Sequence, residues 1–396
     1  MLTPSHPRAT TLINADITGR AECSIRIAES RIAAIGAAPQ PDDRIVDLQG
    51  DRVLPGLINA HDHLQLNNLP CLDSPGPYAH VREWISDINA RLRSDAAFQQ
   101  SATASLDHRL AFGGLKNLLS GVTTVAHHDP YFAFLSQPHF PIRVISDCGW
   151  SHSLYLDGEI AVRSSYRRTP REWPWIIHAS EGCNREATEE FERLDALGCL
   201  GGNTLIVHGI ALDGSQRQRL AAADAGLIWC PTSNLRLFGR TAEVAGLLAG
   251  GRIALGTDSR LSGARDLLDE LRVAQRIGGL DESALEPLVT GASARLLRLA
   301  DRGVLNPGAR ADILVLPARM PLSRATRVDV RLVLIDGIAR YGDRDLAQAM
   351  APHSHWAQIR VDGRLKILDS KVAGLLANAD MSEPGVELSA VAWEAA

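Results

Sequence analysis

His61-Asp62-His63, directly after a strand-like run, is the strongest local signal of metal-ligating side chains in the chain. Residues two apart on an extended backbone point to the same side. Two imidazoles on one side, at the end of a strand, can share one metal ion. A pair of ordinary loop histidines would have the same spacing, so the surroundings must decide. His178 ends the strand-like Trp175–His178, His208 ends Leu205–Val207, and Asp258 follows Ile253–Leu255 through Gly256-Thr257. In parallel α/β folds catalytic groups gather where strands end and the βα loops open. One histidine at a strand end is commonly a satisfied polar group; histidines and carboxylates ending at least four strands are hard to explain by packing. His127, His128 and Asp129 end a further strand-like run, and Trp150 and His152 follow another.

The elements that must position these residues alternate. Strand candidates are Val53–Ile58, Val122–Ala126, Ile142–Ser146, Trp175–His178, Leu205–Val207, Leu227–Cys230 and Ile253–Leu255. Phe98–Leu119 and Arg265–Ile277 carry apolar residues at helical spacing and stop at Ser120-Gly121 and Gly278-Gly279. Alternating β and α predicts a parallel sheet, open or closed as a barrel. These are seven strands where a complete barrel needs eight, and Arg163–Arg168, where another element belongs, has a poor pattern. Both chain ends have a different texture. Thr10–Ile17, Ala21–Ala28 and Arg31–Ile35 near the start, and Ala311–Leu316 and Val328–Ile335 near the end, read as short strands broken by turns such as Asp336-Gly337. This predicts one β-sandwich made from residues 1–53 and 301–346, a catalytic body over 54–300, and a tail over 347–396 that opens with a short helix.

Composition narrows the class. The chain has 396 residues, 45% hydrophobic and 22% charged, which fits an ordinary globular protein and excludes disordered and fibrous classes. A net charge of −5 gives no reason to expect nucleic-acid or anionic-membrane binding. The lysines Lys116, Lys366 and Lys371 lie in no Gly-rich phosphate loop. No apolar run is long enough to span a bilayer, and Met1 to Ala15 lack the pattern of a secretory signal. The six cysteines are scattered, which argues against a disulfide framework and fits a cytoplasmic location.

Several segments, in order, resemble the amidohydrolase superfamily, in its branch of aminoheterocycle deaminases and chlorohydrolases. Val53-Leu54-Pro55-Gly56-Leu57-Ile58-Asn59-Ala60-His61-Asp62-His63-Leu64 resembles its first barrel strand and metal pair. Gly121-Val122-Thr123-Thr124-Val125 is similar to the second strand, His178-Ala179-Ser180-Glu181 to the fifth, and Val207-His208-Gly209 to the sixth. Cys230-Pro231-Thr232-Ser233-Asn234-Leu235 is similar to the seventh strand, Gly256-Thr257-Asp258-Ser259 to the eighth, and Gly308-Ala309-Arg310-Ala311-Asp312-Ile313 to the return into a β-sandwich. The resemblance spans roughly residues 10–345. It implies a TIM-like (β/α)8 barrel, here distorted or lacking a regular fourth strand because the stretch from the third to the fifth strand is short.

The resemblance also implies roles. His61, His63, His178 and Asp258 would hold one divalent ion; such ligands suit Zn2+ best, with Fe2+ and Mn2+ as alternatives. Glu181, His208 and Asp258 would be catalytic, and no carboxylated lysine is expected. Zinc lowers the pKa of bound water to about 7. Asp258 can accept the water proton, Glu181 can protonate a ring nitrogen, and His208 can hydrogen-bond the attacking oxygen. Ammonia then leaves a nitrogen heterocycle. Opening of a cyclic amide, as in imidazolonepropionase-like relatives, would use the same groups. A dead scaffold on the same fold would have lost a ligand or Glu181, and a cytidine-type deaminase needs a Pro-Cys-x-x-Cys that is missing here. No Gly-x-Ser-x-Gly supports a serine hydrolase. The segment between His63 and Gly121 should cover the pocket, so Gln65, Asn67, Tyr78, His80 and Trp84, with His128 and His152, are the expected substrate contacts. For Trp84 the alternative, and the favoured one, is the anchor of a helix Val81–Leu92. Asn234 fits either the orientation of a catalytic group or a helix cap, and Cys183 fits a small buried thiol. The expected partner is a small heterocycle, with the chain assembled as a homodimer or tetramer.

Overall fold

A computed structural model describes residues 9–17, 20–71, 76–377, 379 and 381–388. The first eight residues of the expected sandwich, and residues 389–396 of the expected tail, lie outside the described residues. In chain order the strands are β1 (Ala9–Ile17), β2 (Arg20–Ala28), β3 (Arg31–Ile35), β4 (Asp43–Asp47), β5 (Arg52–Pro55), β6 (Leu57–Asp62), β7 (Val122–His127), β8 (Arg143–Val144), β9 (Gly149–Ser153) and β10 (Trp175–Ala179). They continue as β11 (Thr204–His208), β12 (Gly226–Trp229), β13 (Ile253–Leu255), β14 (Ile313–Leu316), β15 (Leu332–Ile335), β16 (Ile338–Gly342), β17 (Trp356–Val361), β18 (Arg364–Asp369) and β19 (Val386–Leu388).

The middle of the chain holds two parallel sheets. One has the order β6-β7-β8 and the other β13-β12-β11-β10-β9. All but the edge strands β8 and β9 are buried throughout, as parallel strands covered on both faces must be, and β10 to β13 are largely apolar. The ladders form no closed sheet, so the structure shows two parallel sheets where the resemblance implied a barrel, distorted or lacking a regular fourth strand. The reasons are local. β8 is two residues long, and between it and β9 the backbone turns on Cys148 N to Ser146 O at 3.0 Å. At the other edge β13 stops after three residues, and only Thr257 N and Asp258 N reach across, to His61 O at 3.0 and 3.1 Å. Gly256 permits that approach: a Cβ there would lie 2.6 Å from His61 Cβ.

β9 is the strand absent from the sequence reading. Its run, Gly-Trp-Ser-His-Ser, has no apolar core of its own, yet it pairs in parallel with β10. Arg163–Arg168 falls within the helix Glu159–Arg168. The expected strand Val53–Ile58 is two strands parted at Gly56, where a Cβ would strike the Thr123 side chain at 2.3 Å. β5 pairs antiparallel with β14 in the large sheet, and β6 turns away into the parallel one. The expected helix Phe98–Leu119 is also two, Ala96–Ala102 and Leu106–Leu119. Ser105 breaks the run by capping the second helix through His108 N at 3.2 Å.

The remaining strands form one eleven-stranded sheet ordered β19-β17-β18-β16-β15-β14-β5-β1-β2-β3, with β4 beside β1. Strands from both chain ends therefore meet at β5 and β14. Residues beyond 346 contribute β17, β18 and β19 and the helix Ser370–Leu376. Among the described residues no helix is long and apolar enough to cross a membrane.

Candidate metal and catalytic site

The ends of β6, β7, β10 and β11 and the turn after β13 converge on a buried group of imidazoles. His61, His63, His128 and His178 each offer a ligand atom, and these atoms lie within 4.8 Å of one another. His178 Nε2 is 3.2 Å from His61 Nε2 and 3.4 Å from His63 Nε2. Asp258 stands beside them, its Oδ1 3.9 Å from His61 Nε2 and 3.8 Å from His63 Nε2. Ser259 N and Ser262 Oγ donate to the two Asp258 oxygens at 2.7 and 2.8 Å, which fixes the carboxylate. The expected ligand set is thus brought together, and His128, expected to touch substrate, sits among the imidazoles.

The outer nitrogens define which way the lone pairs face. A carbonyl and a carboxylate only accept, so His178 Nδ1 donates to His152 O at 2.9 Å and His63 Nδ1 to Asp129 Oδ2 at 2.7 Å. Both Nε2 atoms then turn their lone pairs inward. Burial, with neighbouring imidazoles adding to it, pushes His61 and His178 well below the ordinary histidine range. His63 behaves oppositely. Burial works against its charge, but Asp129 overcomes this and raises it to about 9. The pocket therefore calls for positive charge at the point where the Nε2 atoms meet, either a proton on His63 or a cation. Imidazoles with a carboxylate alongside make a donor set for a transition-metal ion, and their outer contacts orient them as metal ligands are oriented.

The proton-handling groups adjoin. Glu181 is buried, and burial first, then Asp258 and Glu190, push its carboxyl well above the usual range. Its Oε1 lies 3.5 Å from His208 Nε2. Asn234 Nδ2 donates to Thr241 Oγ1, so Asn234 Oδ1 accepts from His208 Nδ1 at 2.8 Å and leaves Nε2 open toward Glu181. Asn234 thus orients His208; the cap of its helix, Pro231–Phe238, is Cys230. The Glu181 loop is held from behind. Glu190 Oε2 accepts from Ser180 N at 2.7 Å, and Val81 N donates to Glu181 O at 3.1 Å, tying the helix Val81–Ser94 to the loop.

Three residues here hold left-handed backbone without being glycine: Ser180 (φ 53°), His208 (φ 71°) and Asp258 (φ 54°). Each ends or follows a parallel strand and turns a side chain or its neighbour into the pocket. Such conformations cost on the order of 1–3 kcal/mol each and persist where the surroundings over-determine them. No residue pattern announces them.

The expected substrate contacts divide. His152 lies at the rim, its ring 4.7 Å from that of His178, with its pKa lowered to about 4 by burial and then by His63. Gln65 Oε1 is buried with no protein partner near Asp129. Trp84 packs with Leu69, Ile88, Phe98 and Leu261, the anchoring role. Asn67 is buried with its amide engaged by protein: Nδ2 donates to Asp62 Oδ1 at 2.8 Å, and Oδ1 accepts from Lys116 Nζ at 2.8 Å and Arg260 N at 2.9 Å. This corrects its place: no polar atom of Asn67 is left over for a substrate. Tyr78 Oη donates to Asp87, and His80 Nδ1 accepts from Arg82 N. Cys183 is exposed and its Sγ lies against Phe238 O. Glu190 was not singled out in the sequence, and Asp129 was marked there only by its place at a strand end. The partner of each lies outside its own local pattern, Ser180 N for Glu190 and His63 for Asp129.

Residues 174–339 match the amidohydrolase family. A 5-methylthioadenosine/S-adenosylhomocysteine deaminase of Haloarcula marismortui is 36% identical over 71% of this chain and 76% of its own. A 5'-deoxyadenosine deaminase of Methanothermobacter thermautotrophicus is 26% identical over 93% of this chain and 96% of its own. Among solved structures, an adenosine deaminase from Xanthomonas campestris with bound zinc superposes with a TM-score of 0.69. It shares 18% identity and covers 85% of this chain and 93% of that one. The chain belongs to the amidohydrolase family. It is a hydrolase of carbon–nitrogen bonds other than peptide bonds, and its named relatives are deaminases.

Proposed function

We propose that this protein deaminates a 6-aminopurine nucleoside or a similar aminoheterocycle, using one divalent metal ion, with zinc as the first candidate. The observation that carries the reading is Glu181, a buried carboxyl whose pKa burial raises, 3.5 Å from His208 and three residues after His178. His61, His63, His178 and Asp258 would hold the ion, with His128 packed against them. A divalent ion held there would supply an activated water at neutral pH. Asp258 is the carboxylate that would take up a proton from it. Glu181 would deliver its proton to the ring nitrogen, which makes the adjacent carbon electrophilic, then take the proton of the added hydroxyl and pass it to the departing amine, and the proton left on Asp258 would restore Glu181. His208, oriented by Asn234, hydrogen-bonds the attacking oxygen and stabilises its charge. Gln65 and His152 are placed to meet the substrate.

We further read the two parallel sheets as arcs of one distorted (β/α)8 barrel over residues 54–300. The contacts of Thr257 N and Asp258 N with His61 O support this by linking the outer strands. Residues 1–53 and 301–346 make the β-unit beside it, joined by strands of the segment 347–396, and the chain works in the cytoplasm as a homodimer or tetramer. The test is ammonia release from a panel of adenosine derivatives altered at the 5' position, aminopyrimidines, aminotriazines and cyclic amides. Release from the purines supports the reading; ring opening of a cyclic amide without ammonia overturns it.

A further inference from the structure

Asp62 stands between the two metal-site histidines and turns away from the pocket. Its buried carboxylate accepts from Asn67 Nδ2 at 2.8 Å, Asn117 Nδ2 at 2.8 Å, Asn59 Nδ2 at 3.1 Å and Lys116 Nζ at 3.2 Å. Lys116, on the helix Leu106–Leu119, is itself buried. The same ammonium reaches Thr257 Oγ1 at 3.1 Å and the Asp258 carbonyl at 3.5 Å. One cation therefore touches the end of β6 and the turn after β13, two elements that share no strand ladder.

That placement matters because the two elements carry different ligands. β6 brings His61 and His63, and the turn brings Asp258. Only two backbone amides cross between them, so their spacing depends on side chains. A buried ion pair is by itself weak evidence for stability, since desolvation opposes the attraction. One that bridges two ligand-bearing segments has a more specific use. The close packing that allows it is built in: a Cβ on Gly113 of the same helix would lie 2.3 Å from Leu64 O.

We propose that Lys116 is a positioning residue of the metal site, holding the Asp258 turn in register with the His61–His63 strand through Asp62 and Thr257. The proposal rests on the reading above that these residues bind a cation, and it concerns how they are spaced.

The test uses the full chain loaded with Co2+, whose visible spectrum reports ligand geometry and whose affinity is read by competition with a chelator. Lys116→Met should weaken Co2+ binding by roughly 10–100-fold, the span typical of residues that orient metal ligands, and should change the spectrum. Thr257→Val, nearly the same shape, should change both in the same direction by less. Wild-type affinity and spectrum in both variants would overturn the proposal, even if the thermal midpoint falls, because Lys116 would then serve stability alone. Should Lys116→Met fail to fold, Thr257→Val decides, and an unaltered spectrum in it is the overturning result. If the wild-type chain takes up no Co2+, the metal reading itself fails and this proposal with it, an outcome recognisable without any variant.

Discussion

Two buried clusters of charge and polarity lie in this molecule, and they are built on opposite principles. Around Arg327 each cation faces an anion of the protein, with Arg327 Nη2 and Arg260 Nε the buried atoms that no hydrogen bond reaches. Its guanidinium meets Asp266 at 2.7 Å and Glu383 at 2.8 Å, and Arg260 meets Glu383 from the other side at 2.7 Å. Asp266 also caps the helix Leu267–Gly278 through Leu268 N and Asp269 N. Two cations and two anions close on one another. In the imidazole pocket the Nε2 atoms of His61, His63 and His178 face each other, and His61 Nδ1 and His128 Nδ1 are buried and unpartnered. Buried polarity that closes on itself joins elements; buried polarity left open marks the place where something else must bind.

The sharpest way to break this contrast is to empty the pocket. His61→Ala combined with His63→Ala should abolish metal binding and with it nearly all turnover, as elemental analysis and an ammonia assay would register. Retention of about one tightly held ion per chain would show that the imidazoles are not the ligands. Glu181→Gln should act on chemistry alone. Metal content should stay normal while kcat falls by roughly 10²–10⁴, the span of a general acid–base group, with a smaller change in KM. Near-normal turnover in that variant would transfer the proton work to another pocket residue such as His152. Arg327→Met should do the reverse of both. Leaving Asp266 and Glu383 short of a partner should cost about 3–5 kcal/mol of stability, measured by urea unfolding, while metal content and turnover of the folded protein stay unchanged. A loss of metal in Arg327→Met would mean that the two clusters are not independent.

Much of the site was legible because its ligands recur at strand ends, and each strand end is marked by residue type and spacing. His61, His63, His178, Glu181, His208 and Asp258 all come together in the structure as that pattern required. What was illegible is what depends on the third dimension. Asn67 has the composition of a substrate contact and the position of one, yet Lys116 and Asp62 take up its amide from elements far along the chain. β9 has no apolar run, and exists because β10 and the helix Glu159–Arg168 pack on it. The split of Val53–Ile58 at Gly56 was visible only as a glycine; which sheet each half would join depended on β14 and β7. Whether the parallel strands close was illegible for a related reason, since strand count says nothing about whether ladders meet.

The pairing of β5 with β14 has a consequence in time. Leu54 sits opposite Leu314, more than two hundred and fifty residues later in the chain. β5 runs through Gly56 straight into the strand that bears His61 and His63, so one edge of that strand's anchorage is made only after residue 316 has emerged from the ribosome. At ordinary elongation rates that interval is on the order of tens of seconds. Until then the first metal-binding motif exists as nascent chain without its scaffold, and the loop that must close is long, which slows the search for the partner strand. Of the ligands, the histidine pair therefore waits longest for its final surroundings, and a truncation between Asp258 and β14 should yield a chain that holds the complete set of ligands and still cannot hold them in place.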